Sequence, residues 1–485
     1  MSVLSLVACQ RPPNDMSSRP PDSGSLWQST PLPGGSAFSA PVTLSYISQG
    51  DILQIDPTNP TSSPEKLTNS GRAIRYGWSP NGQALWYEEP GGRLIVLDTA
   101  TGRTIEMPGE MNANASWSPD SSALVYVSYL IADWLVDQST YGTELHRFDL
   151  ERDQVTTLVG SMAADRLLAA APMPPVGPPI WQLAHPLFVD EQTILLIIIS
   201  QSSLMGTEPV YFNFLATLDV GSGELRLLDN GDLSQGDPLS VTDLAMRRDV
   251  FITDGIPLAW QLAADGRTLS IAQPFSQKIL FPPPPSGFAS ALWAYDWTTL
   301  SRRSLIPSGL ACDEILMGPA AWGTVTGMAW QHLSFGLAVS FQNTRSPESR
   351  GDTACGTTGT RDVYWLAQED GEWRTEWTLP GSLEPAWSPD DRLLAYTVAQ
   401  PPELGSSMDT LLPPAVALIY REAPDFLVRM AKTPEEPWVK QAARDLLASS
   451  RFRIEILDQK RHAVFVLPHA HSPAWRPDPG WHNGE

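Results

Sequence analysis

The residues with chemical potential are few. Cys312 and Cys355 are an even pair, which an oxidising compartment would join as a disulfide. His469-Ala470-His471 sets two imidazoles on one side of an extended segment. A metal would need a third ligand there, and the simpler reading is two ordinary histidines at a strand-to-strand turn. There is no Gly-x-Ser-x-Gly elbow, no P-loop, no Gly-x-Gly-x-x-Gly, no Cys-x-x-Cys and no His-Glu-x-x-His. Carboxylates are abundant, but none stands out as a glycosidase acid–nucleophile pair. No catalytic residue, cofactor or metal is therefore expected. Trp134, Tyr141, Trp322 and Trp438 fall between the regular segments. They are candidates for an aromatic binding surface, the alternative being that they pack their own loops.

The elements that must position these residues follow a repeat. Trp78-Ser79-Pro80-Asn81-Gly82, Trp117-Ser118-Pro119-Asp120 and Trp387-Ser388-Pro389-Asp390 each precede a run rich in Leu, Ala, Val and Tyr. Trp475-Arg476-Pro477-Asp478 is a fourth copy, and Trp181, Trp260 and Trp330 keep the rhythm without Ser-Pro-Asp. Each unit reads as strand, tight turn, strand. Pro fixes φ, Asp or Asn bonds its own backbone, and Gly accepts positive φ. Two further strands follow, as in Leu94–Asp98 and Arg103–Met107, giving four short antiparallel strands per unit. One such sheet cannot bury both faces alone, whereas sheets packed in a ring can.

Seven anchors predict an all-β, seven-bladed β-propeller; without Trp181, the weakest, it would have six blades. Ten residues follow Trp475, too few for the rest of its blade. The strands Val42–Ile47, Asp51–Asp56 and Glu65–Thr68 precede Trp78 and have no anchor of their own. The C-terminal strand is thus expected to complete the N-terminal blade, which removes the exposed edge.

Trp-Ser-Pro-Asp-x-x-x-Leu-x-Tyr resembles the WD40-like PD40 repeat of TolB-type propellers. The resemblance runs over roughly residues 42–478 and is sharpest at Trp78, Trp117 and Trp387. It implies a propeller of the bacterial cell envelope. TolB carries an additional α/β domain before its ring, for which this chain has no room.

The net charge of −22, from 54 acidic against 32 basic residues, disfavours nucleic acid and anionic membrane as partners. Leu6-Val7-Ala8-Cys9 matches the pattern at which bacterial lipoproteins are acylated, with Cys9 the lipidated residue. The eight residues before it are short for a signal and carry no Lys or Arg, so either the true start lies upstream or the match is accidental; the lipoprotein reading takes the first. Residues 1–9 would be the residual signal, 10–41 a Pro/Ser/Gly-rich tether, 42–478 the propeller and 479–485 a tail. The expected location is the cell envelope, with the membrane reached only through the lipid.

Within the ring, the long segments fall in two kinds of connection. If strands are lettered A to D from the axis outward, A–B and C–D turns share one face of the disc, and B–C and D–A connections share the other. Each long insertion reads as B–C or D–A, including 400–450, within which 435–450 is patterned as a short helix. Cys312, in the D–A connection entering blade five, and Cys355, in that blade's B–C insertion, would project from that face together. A loop-rich face commonly binds partners. The expected function is non-catalytic binding or scaffolding of an envelope protein or glycan. The alternatives are a glycan-acting hydrolase or lyase with carboxylates at the axial pocket, and a rigid spacer.

Overall fold

The computed structural model describes residues 43–477, apart from 60–61, 91, 110, 132–140, 161–179, 204–208, 230–247, 254–257, 276–288, 307–310, 316–317, 323, 343–360, 370–371 and 401–450. Cys9, the tether, Trp134, Cys355, Trp438 and the helix expected over 435–450 lie outside the described residues. Among the described residues all helix and strand structure is β.

Strands β1 (Leu44–Ser48), β2 (Asp51–Ile55) and β3 (Glu65–Lys66) begin the chain. Blade one is β4 (Arg75–Trp78), β5 (Ala84–Glu89), β6 (Arg93–Asp98) and β7 (Thr104–Glu106). Blade two is β8 (Met111–Trp117), β9 (Ala123–Ile131), β10 (Tyr141–Asp149) and β11 (Gln154–Val159). Blade three is β12 (Ile180–Phe188), β13 (Thr193–Ser203), β14 (Pro209–Asp219) and β15 (Leu225–Leu227), with β16 (Val250–Thr253) added on β14. Blade four is β17 (Ala259–Leu262), β18 (Thr268–Phe275), β19 (Ala289–Asp296) and β20 (Ser301–Ser304), extended by β21 (Ala311–Ile315) and β22 (Gly318–Trp322). Blade five is β23 (Thr324–Trp330), β24 (Gly336–Gln342), β25 (Arg361–Glu369) and β26 (Glu372–Pro380). Blade six is β27 (Ser382–Trp387), β28 (Leu393–Gln400), β29 (Arg451–Asp458) and β30 (Ala463–Pro468), and β31 (His471–Trp475) ends the ring.

The protein is a seven-bladed β-propeller, not the six-bladed alternative. Strand β31 pairs β1, in register Leu44↔Trp475, and the closing blade has the order β3-β2-β1-β31. Tyr46 and Trp475 share one buried cluster with Leu393 and Ile456 of blade six. Ile47 and Ile52 share another with Leu85 and Ile95 of blade one. The cores therefore lie between blades, which is what makes a single sheet insufficient.

The Ser-Pro turns work as their composition dictates. Ser118 Oγ donates to Asp120 at 2.6 Å and accepts from the Ala123 amide at 2.9 Å. Ser388 repeats this with Asp390 and Leu393, and Ser79 with Asn81 and Ala84. The next position has positive φ in each turn: Gly82, Ser121 and Asp391.

Two anchors need correcting. A Trp at the end of the innermost strand sits opposite a Leu in five blades: Trp78↔Leu85, Trp117↔Leu124, Trp330↔Leu337, Trp387↔Leu394 and Trp475↔Leu44. In blade four that slot is held by Leu262, opposite Leu269, and Trp260 lies two residues earlier opposite Ile271. In blade three it is held by Phe188, opposite Ile194, while Trp181 is near the start of β12 opposite Ser200. The slot asks for a large apolar side chain, and Phe or Leu fills it as well as Trp.

Candidate functional site

The axis of the ring is lined by one position of each innermost strand, three residues before the anchor slot. It holds Arg75, Asn114, His185, Ala259, Gly327, Glu384 and Ser472. Four of these, Asn114, His185, Glu384 and Ser472, have positive φ at β-bulges. A bulge turns one residue out of the ladder and frees its backbone groups. The freed carbonyls are then used between blades. Tyr76 Oη donates to the Ser472 carbonyl at 3.1 Å, and Trp260 Nε1 to the His185 carbonyl at 3.2 Å.

The side chains make a polar belt with two small members. The Glu384 carboxylate accepts from the Ser472 amide at 2.8 Å and from Thr397 Oγ1 at 2.8 Å, tying blade six to the closing blade. Arg75 pairs with the buried Glu88. Burial pushes the His185 imidazole down to about 4, and the Arg75 cation adds to the shift. Burial also holds the Tyr76 phenol well above its usual range, with the Glu384 charge contributing. His185 is therefore neutral near pH 7, and Glu384 is committed to the bulge that follows it.

The loop-rich face is raised as well as decorated. The β9–β10 ladder continues to Ile131↔Tyr141, and β13 and β14 pair over eleven residues from Thr193↔Asp219 to Ser203↔Pro209. Tyr141 is thus in a strand, not in the insertion expected around it. Trp322 is in a strand too, at the end of β22 and opposite Ala289. Cys312, expected in a loop, lies in β21 opposite Ala320. The connections from β15 to β17 and from β20 to β23 carry strands of their own. There β16 and the β21–β22 hairpin continue the outer edges of β14 and β19 where those strands outrun β15 and β20. His469 and His471 are separated: His469 is exposed at a positive-φ turn, whereas His471 is buried with Nδ1 3.0 Å from Ser472 Oγ.

The short-turn face carries a cleft of about 440 Å³ between blades five and six. Gln331, Ser334 and Phe335 of one A–B turn, Asp391 of the next, and Asp458 and Gln459 of a C–D turn form its rim, over Trp365, Trp377 and Trp387. Asp391 holds the junction: its carboxylate accepts from the His332 and Leu333 amides at 2.6 and 2.7 Å.

No protein-family model matches the chain, and no curated protein does. Among solved structures it is similar to an oligogalacturonate lyase in complex with manganese (14% identity, TM-score 0.42, 72% of this chain and 79% of that one). It is also similar to an oligogalacturonate lyase from Vibrio parahaemolyticus (9%, 0.43, 72% and 80%) and to a dihydro-haem d1 dehydrogenase in complex with DHE (10%, 0.42, 94% and 82%). At these identities and scores they say nothing of ligand or chemistry, and the seven-bladed ring rests on its own strand ladders.

The axial belt and the cleft were missed from sequence, for different reasons. The belt had a signal: His185-Pro186, Glu384-Pro385 and Ser472-Pro473 each precede an anchor slot by the same interval. Pro removes a ladder donor, so a repeated X-Pro inside a strand marks a bulge. The cleft had half a signal, since Trp365 and Trp377 are directly opposite on adjacent strands, but its third wall comes from the neighbouring blade.

Proposed function

We propose that the protein is a non-catalytic binding or scaffolding module of the cell envelope, lipid-anchored at Cys9, which engages a protein or glycan through its loop-rich face. The observation that carries this is the distribution of connections. In blades one to six every A–B turn spans five residues or fewer, as at 79–83, 118–122, 263–267 and 388–392. B–C connections on the other face reach 276–288, 343–360 and 401–450. Elaboration concentrated on one face of a rigid scaffold supports recognition there. Tyr141 and Trp322 stand where strands rise toward that face, and Trp134, Trp438 and a Cys312–Cys355 bridge belong to the same proposal.

The test is capture from envelope extract by the immobilised protein, intact and with residues 401–450 deleted. The reading expects a partner set that the deletion depletes. Retention of nothing above the bead background, or of the same set by both forms, argues against it. Globomycin-sensitive processing at Cys9, with the protein expressed from its native locus, tests the anchor; unprocessed protein argues against it.

A second reading, a glycan-acting hydrolase or lyase, is favoured by one observation: Arg75, His185 and Glu384 share the axial belt. It requires release of reducing ends from a polysaccharide by the parent and loss of that release in Glu384→Gln.

A further inference from the structure

The cleft between blades five and six differs from the other junctions at one kind of atom. Around the ring, the anchor indole is spent on the preceding blade. Trp117 Nε1 donates to the Gly77 carbonyl at 3.2 Å, Trp330 Nε1 to the Gln261 carbonyl at 3.2 Å, and Trp475 Nε1 to the Ala386 carbonyl at 3.0 Å. Trp78 Nε1 donates to Ser45 Oγ at 3.1 Å. By this register Trp387 Nε1 should reach the Ala329 carbonyl. It does not: it is buried and has no hydrogen-bond partner among the described residues. Trp387 is 6% exposed and its side chain lines the cleft. Trp365 Nε1, on the ring packed against Trp387, is also buried and unpartnered among the described residues. Leaving two indole N–H groups dry costs free energy that a bound acceptor would recover.

Aromatic packing explains how they come to be left over. Trp365 sits between its partners, 5.3 Å from the Trp377 ring and 5.5 Å from the Trp387 ring, at 70° and 59°. The three indoles come from both blades, Trp365 and Trp377 from blade five and Trp387 from blade six, and all line the cleft. Gly336 permits it, since a Cβ there would lie 2.7 Å from Trp365 Nε1 and 2.2 Å from Gln331 Oε1.

We infer that this cleft binds a neutral saccharide of one or two rings. A pyranose has an apolar C–H face and an edge that both donates and accepts. The cleft is lined by indole rings for the face and by Gln331, Gln368, Gln459 and Asp458 for the edge, and the two unpartnered indole N–H groups lie buried at its wall, to be reached by an acceptor that displaces their packing. About 440 Å³ lies within the range of small-molecule sites. Among the described residues no Lys, Arg or His lines it, so a uronic acid finds no counter-charge in that lining. Arg461 is beside it, but its guanidinium faces the Trp377 ring at 5.8 Å. The site is on the face opposite the long loops and does not rest on the reading of that face.

The experiment uses the whole protein, ¹⁵N-labelled at the indoles, titrated with chitobiose, cellobiose and maltose. Digalacturonate and a proline decapeptide serve as controls. The Trp365 and Trp387 Hε1 signals are assigned from Trp365→Phe and Trp387→Phe, which keep an aromatic ring and remove the donor. At least one neutral disaccharide is expected to move both signals downfield, saturably, with a Kd of about 1 mM or tighter. Each Phe variant, its fold checked by the remaining indole signals, is expected to weaken binding roughly tenfold or more. Indole signals that stay fixed with all three sugars, equal response to digalacturonate, or response only to the proline peptide would each overturn the assignment. Deleting 401–450 should leave this titration unchanged, so failure here and failure of the loop-face reading are distinguishable.

Discussion

Arg476 and Gly82 stand 394 positions apart in sequence and are joined in the ring: Arg476 Nε donates to the Gly82 carbonyl at 2.7 Å. The guanidinium also lies over the Trp78 ring at 5.1 Å. Gly82 has φ +65°, and a Cβ there would be 2.1 Å from the Pro477 carbonyl oxygen. The closing blade's turn therefore locks onto blade one by backbone approach as well as by the Arg476 side chain. Gly82→Ala is expected to cost about 2–3 kcal/mol, from positive φ and a clash with main chain that cannot move alone. Arg476→Ala should cost about 1–2 kcal/mol, from the lost bond and the uncovered indole. Urea unfolding midpoints measure both. A Gly82→Ala midpoint equal to the parent's would mean that the closing turn is not held against blade one.

The indole bonds between blades give a graded comparison. Trp475→Phe removes the donor to the Ala386 carbonyl and should cost about 1 kcal/mol more than its lost packing. Trp387→Phe removes an N–H that has no partner, so it should cost less. Both residues are 6% exposed, which makes the packing terms comparable. Equal midpoints for the two variants would show that the Trp387 donor is spent after all.

How much of this could be read from the chain follows from what each feature depends on. The ring and its closure were legible because the turn after the anchor is local chemistry: Ser, Pro and Asp or Asn within four residues determine it. The anchors of blades three and four were not, because Phe188 and Leu262 satisfy a volume requirement that carries no distinctive letter. Strands β16, β21 and β22 hid in connections because each only patches the exposed end of a longer neighbour. The cleft depends on residues from two neighbouring blades, which no single repeat encodes.

Glu384 separates a structural role from a catalytic one. Its carboxylate accepts from the Ser472 amide and Thr397 Oγ1, joining blade six to the closing blade. Glu384→Ala should leave Thr397 Oγ1 and Ser472 Oγ without this acceptor and the Ser472 amide with only its 3.2 Å bond to Thr397 Oγ1, and cost about 2–3 kcal/mol. Glu384→Gln keeps one carbonyl oxygen for them and should cost about 1 kcal/mol or less. Thermal unfolding of the two variants checks the order. If Gln were as damaging as Ala, the negative charge itself, rather than the acceptor geometry, would be holding the bulge.

His471 makes the ring acid-sensitive in a defined window. Its imidazole is buried against the Phe452 ring, with Nδ1 at Ser472 Oγ, and burial lowers its pKa from 6.5 to about 4. Between those two values the unfolded chain binds a proton at this residue that the folded ring refuses. Stability is then fully present above about pH 6.5, falls as the pH drops toward 4, and has lost this contribution entirely below it. The slope from one such group is at most about 1.4 kcal/mol per pH unit. His185, lowered to about 4 by burial and by Arg75, acts in the same direction, so the informative quantity is the difference between proteins. His471→Asn, which can keep a polar contact to Ser472, should be less stable than the parent at pH 7 and converge on it as the pH falls to 4.5. Denaturant midpoints at half-unit intervals measure this. Parallel curves for parent and variant across the window would mean that His471 takes up its proton inside the fold, and that β31 is open to water where it meets β1.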